Sequence, residues 1–186
     1  MIRETEPFER ILQALRTSAG ALQRAEVPFL LGGGLACWAR GGPETGHDVD
    51  FLVRPEHVEP GLEALEQAGM KTERPPEHWL VKAYDDGVLV DLIFEPSGLR
   101  VDDAMFERAQ ELEVYAVRMQ VAALEDVVTT KLMALSEQNL DYRSVLEIAR
   151  TLREQIDWAS VRERTSRSPY AKAFFTLVEA LGIVPA

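Results

Sequence analysis

Asp48 and Asp50 stand one residue apart at the head of Asp48-Val49-Asp50-Phe51-Leu52-Val53, a segment otherwise apolar. Side chains on a strand alternate between its faces, so the two carboxylates point one way while Val49, Phe51 and Val53 point into the protein. Carboxylates held side by side repel one another unless a proton or a cation lies between them. A third carboxylate, Asp91, ends Val88-Leu89-Val90-Asp91 and shares a strand face with Leu89 and Ile93, which is not how a solvated acid is usually placed. Upstream, Gly32-Gly33-Gly34 opens a short apolar helix, where backbone N–H groups can approach a phosphate. With such a cradle beside the acids, the cation is most simply Mg²⁺, or Mn²⁺ in its place. Three carboxylates are a minimal set for holding two divalent ions, which can stabilise the attacking and leaving oxygens of an in-line displacement.

These residues need a frame. Pro7 suits the first turn of a helix whose stripe is Phe8, Ile11, Leu12 and Leu15, and the pattern runs toward Ala25 although Gly20 weakens it. Val27–Leu31 reads as a strand delivering the glycines, followed by a helix over 34–40 that Gly41-Gly42-Pro43 ends. After the strand at 48–53, a helix over 56–68 stops at Gly69. Strands at 79–84 and 88–94 flank the turn signal Asp85-Asp86-Gly87, and 113–121 adds another strand. Helices follow at 123–136, 141–155, 158–165 and 169–181, with Asp157 and Ser168-Pro169 as starts and Gly182 as a stop. The expected division is a core over residues 1–121 and a helical region over 122–186 packed on it. The fold class is α+β.

Composition narrows the function classes. The net charge of −11 argues against broad duplex nucleic-acid binding, which needs many cations facing phosphates. Between Arg143 and Lys172, seven basic residues meet four acids, which reads either as a local anion-binding surface or as a solvated helix face. No apolar run approaches the roughly 20 residues of a membrane span, and the opening Met-Ile-Arg-Glu-Thr-Glu lacks a signal-peptide core. Cys37 is the one cysteine, which fits a reducing cytoplasm and excludes an internal disulfide. Among Ala36, Trp38 and Ala39 it reads as a buried small hydrophobe, and His57 and His78 match no zinc spacing.

Gly33-Gly34-Leu35-Ala36, a loop and Asp48-Val49-Asp50 together resemble the signature of the polymerase-β-like nucleotidyltransferase superfamily. Its small prokaryotic members, which include toxin components of type IV toxin–antitoxin pairs, are the most similar. The resemblance continues through Asp91 and reaches Leu124-Glu125-Asp126, Lys131-Leu132 and Leu140-Asp141. It implies a mixed sheet flanked by helices with a C-terminal helical tail. It also implies that Asp48, Asp50 and Asp91 are catalytic metal ligands, with Asp91 at the attacking hydroxyl, and that Gly33, Gly34 and Lys131 bind nucleotide. Lys131 lies within the apolar stripe of Leu124, Val127, Val128, Leu132 and Leu135, so its ammonium either snorkels out or meets an anion.

The chain also departs from the family pattern. Many members carry Ser where this chain has Gly34, and an Arg shortly before the acidic pair, where it has Pro43-Glu44-Thr45-Gly46-His47. His47 is a further candidate for a phosphate or acceptor contact, and Asp141 matches an acidic position in related small members. The expected activity is Mg²⁺-dependent transfer of a nucleoside monophosphate from an NTP to a hydroxyl on a small molecule, an RNA end or a protein. The alternatives are a nucleotide-binding module that has lost turnover, and a toxin component governed by a partner chain.

Overall fold

A computed structural model describes residues 7–46 and 48–184. The helices are α1 (Pro7–Arg24), α2 (Gly33–Trp38), α3 (Val58–Gln67), α4 (Asp103–Arg108), α5 (Leu124–Met133), α6 (Arg143–Leu152), α7 (Trp158–Arg164) and α8 (Pro169–Ala180). The strands are β1 (Phe29–Leu31), β2 (Asp48–Val53), β3 (Lys71–Glu73), β4 (Leu80–Asp85), β5 (Val88–Ile93), β6 (Gln110–Val114) and β7 (Val117–Val121). They form one sheet in the order β3-β4-β5-β2-β1-β7-β6. The pairs β2–β5 and β1–β7 are parallel and the other four are antiparallel. This mixed sheet with flanking helices is the α+β architecture expected from the sequence.

The alternation in β2 has the predicted effect. Val49, Phe51 and Val53 are fully buried, and Phe51 meets Phe29 edge to face with ring centroids 4.9 Å apart. On the same sheet face Leu92 packs under α3 at Gly61, where an added Cβ would stand 3.0 Å from Leu92 Cδ1 and 3.5 Å from Leu22 of α1. The opposite face, with Asp48, Asp50, Asp91, Leu52 and Ile93, looks toward α5. Helix α1 runs unbroken through Gly20, because its buried stripe of Ile11, Leu12, Leu15 and Leu22 outweighs the weak propensity of one glycine. Asp157 caps α7 and Ser168 caps α8 through side-chain oxygens, and Gly182 follows α8 in a left-handed conformation.

The expectation of one strand over 113–121 is corrected to a hairpin. Tyr115 and Ala116 both take positive φ (47° and 61°) and fold β6 back on β7. Neither residue type signals such a turn. A tertiary contact holds it instead: the Tyr115 hydroxyl donates to Glu9 and accepts from Gln13 on α1. Strand β3 and helix α4 are short elements that the apolar pattern does not reveal.

The basic stretch in α6–α8 spends much of its charge on local pairs. Arg143 bonds Asp141, Arg153 bonds Glu154, Arg162 bonds Glu179 and lies over the Phe175 ring, and Arg164 bonds Asp126. No described helix is long and apolar enough to cross a membrane.

Candidate active site

The parallel pairing of β2 with β5 sets Asp50 directly opposite Asp91, and Asp48 projects from the same face two residues earlier. Each of the three carboxylates offers an oxygen, and these oxygens lie within 4.8 Å of one another. Asp91 is 6% exposed, and its Oδ1 is buried with no hydrogen-bond partner among the described residues. Burial and then the charge of Asp48 push the Asp91 carboxyl up to about 6, against the pull of Lys82. Asp50 is raised by burial and by Asp48, opposed by Lys131, and raised again by Asp91. Acids crowded in this way take a proton or a cation. A set made only of hard oxygen donors, one of them buried and unpartnered, fits Mg²⁺ or Mn²⁺.

Gly33 has φ +55°, and a Cβ on it would stand 1.7 Å from Asp50 Oδ2. Only glycine lets the backbone turn here and come so close to that carboxylate. Its neighbour Gly32 donates its N–H to the Asp50 carbonyl at 2.8 Å, so the start of α2 is tied to the middle of β2. Gly34 faces the loop that precedes β2, where the Thr45 side chain lies against it.

Two cavities meet at the acidic cluster. One, of about 730 Å³, runs past Leu52 and Ile93 to His78 and Trp79. The other, of about 480 Å³, lies over Gly34, Thr45 and Asp48 and extends to Asn139 and Asp141. Asp50, Lys131 and Ala134 line both. Lys131 therefore faces the cleft from α5, between the buried Leu124, Val127, Val128 and Leu132, and its charge is felt by Asp50.

All six residues expected from the sequence (Asp48, Asp50, Asp91, Gly33, Gly34 and Lys131) thus border one cleft or its floor. Asp141 is exposed and bonded to Arg143, which holds its carboxyl down at about 2. Cys37 is buried, and that burial pushes its thiol up to about 11, the environment of an inert cysteine. His47 lies outside the described residues.

Two residues lining the cleft, Trp79 and Thr45, and one beside its acids, Lys82, escaped the sequence reading. Lys82 is the register partner of Asp91 across β4–β5. The tight Asp86-Gly87 turn fixes that register, so pairing residues outward from it would have found Lys82. Trp79 and Thr45 reach the cleft from loops and strand ends, where no periodicity points to them.

The family model for nucleotidyl transferases of unknown function (DUF2204) matches residues 11–173. The fold is similar to that of ANT(2'')-Ia in complex with adenylyl-2''-tobramycin, with TM-score 0.64 at 12% identity over 88% of this chain and 98% of that one. A putative nucleotidyltransferase from Thermotoga maritima aligns with TM-score 0.54 at 19% identity, covering 71% of this chain and 86% of its own. The lincosamide antibiotic adenylyltransferase LnuA, solved with lincomycin bound, gives TM-score 0.52 at 14% identity, over 73% and 92% of the two chains. At such identities the likeness is one of fold. No curated protein matches the sequence.

Proposed function

The chain belongs to the nucleotidyl transferase family of unknown function, and from that premise we propose that it moves a nucleoside monophosphate from an NTP to a hydroxyl on a small molecule. The observation that carries this reading is the convergence of Asp48, Asp50 and Asp91 around a buried carboxylate oxygen that has no hydrogen-bond partner among the described residues. These three residues would hold Mg²⁺ or Mn²⁺. When bound, such ions supply positive charge at the attacking oxygen and at the leaving pyrophosphate. Asp91 accepts the proton of the attacking hydroxyl as the new P–O bond forms and pyrophosphate departs. Lys131 offsets charge on the phosphates from above Asp50, and the glycine at 33 leaves room for the carboxylate beneath them.

The two cavities support a division of labour. Asp91 sits on β5, the strand that also provides Ile93 to the larger, apolar cavity. The acceptor enters there, with its apolar body beside Trp79, which is 40% exposed. The triphosphate lies on the other side, by Gly34 and Asp48. A small acceptor also agrees with the antibiotic ligands named for two of the similar structures.

The test is incubation with each α-labelled NTP, Mg²⁺ or Mn²⁺, and total cell extract. Label should appear on a small metabolite with the wild-type chain and not with Asp50→Asn. If no NTP delivers label to any fraction, transfer is excluded and a binding module without turnover takes its place.

A further inference from the structure

Thr45 belongs to the loop between α2 and β2, and its Cβ and Oγ1 each lie 2.7 Å from where a Cβ on Gly34 would stand. Its side chain fills the space that any other residue at position 34 would claim. The hydroxyl forms no hydrogen bond with a described residue, yet Thr45 lines the cavity that holds Asp48, Asp50 and Lys131. An anion as highly charged as a triphosphate needs several donors, and Lys131 is the one cation among the described residues lining that cavity.

We propose that Thr45 is a nucleotide-binding residue whose Oγ1 donates a hydrogen bond to a non-bridging oxygen of the triphosphate. Gly34 has no side chain so that the loop can press this hydroxyl into the cleft. The donor absent from the helix start is thus supplied by the loop, and residues 34 and 45 share one space that only one of them can fill. The inference rests on the nucleotidyl transfer reading and adds a phosphate ligand to it.

The experiment is calorimetric titration of the full chain with each NTP and with inorganic tripolyphosphate, all in excess Mg²⁺. Thr45→Val keeps the shape and removes the hydroxyl. It should weaken binding of NTP and tripolyphosphate alike by about tenfold or more, as for loss of one hydrogen bond to a charged group. Thr45→Ser should bind within about threefold of wild type, the loss expected when the donor is kept and only a methyl is removed. Gly34→Ser alone should lose binding through collision with Thr45, and Gly34→Ser combined with Thr45→Gly should regain it. Circular dichroism melts of each variant confirm folding, and the double variant supplies the positive signal that a misfolded chain cannot. Unchanged binding by Thr45→Val, or equal losses in Thr45→Val and Thr45→Ser, overturns the assignment while wild-type binding preserves the wider reading. A wild-type chain that binds neither NTP nor tripolyphosphate overturns both.

Discussion

Asp91 combines a buried oxygen that has no hydrogen-bond partner among the described residues with neighbours of its own sign, which sets how the metal-free protein responds to pH. The folded chain keeps protons on Asp91 and Asp50 at pH values where the unfolded chain has released them. Stability from Asp91 is therefore present below the unfolded pKa near 4 and is lost as pH rises through its folded value of about 6, and the raised Asp50 carboxyl acts in the same direction. In EDTA the thermal midpoint should fall across that window. Mg²⁺ at pH 7.5 should restore it, and Asp91→Asn should flatten the decline and weaken the restoration. A wild-type midpoint insensitive to Mg²⁺ at pH 7.5 would remove the metal assignment. Lys131→Ala should weaken NTP binding about tenfold, as for a lost charged contact, with the midpoint nearly unchanged. Unaltered binding would show a lysine that only snorkels. The acidic triad was legible because strand alternation is local and two-valued. Lys82 needed the register to be counted outward from the Asp86-Gly87 turn, whereas Thr45 needed the path of a loop, which does not follow from the identity of neighbouring residues.

Helix α5 is held by a device that its apolar stripe does not disclose. Asp126 has no exposed side-chain surface, and it accepts hydrogen bonds from Arg108 after β5 and from Arg164 on α7. One carboxylate thus ties the helix carrying Lys131 to two distant segments. Arg108 and Arg164 are part-exposed, so the cost lies in three lost charge-assisted hydrogen bonds, and Asp126→Ala should destabilise the fold by about 3 kcal/mol, measured by urea unfolding. A loss under about 1 kcal/mol, the scale of an exposed ion pair, would show that the bracket is incidental. The major helices could be read from sequence because their buried faces recur at helical spacing and their caps are local. The β6–β7 hairpin could not, since its turn at Tyr115 and Ala116 is secured by Glu9 and Gln13, far away in the chain. Asp126 itself looks like an ordinary acid in the first turn of a helix until Arg108 and Arg164 are placed around it.

For the whole molecule we propose that the boundary near residue 121 separates roles rather than folding units. Helix α5 packs on α2, α6, α7 and α8, and the Ala122 N–H bonds the Leu31 carbonyl beside the glycine cluster. Scanning calorimetry should show one unfolding transition, shifted upward as a whole by Mg²⁺ with NTP. Two transitions, only one of them moved by ligand, would mark separate units. The parallel pairing of β2 with β5 has a consequence for biosynthesis. During translation Asp48 and Asp50 leave the ribosome well before Asp91, and Lys131 and the bracket closed by Arg164 emerge later still. Parallel partners distant in sequence join slowly, because the intervening chain must be ordered first. On the proposed assignment, a nascent or C-terminally clipped polypeptide carries the recognisable acidic motif but has little grip on nucleotide. On that assignment competence arrives only once the chain as far as Arg164 has emerged and closed on Asp126.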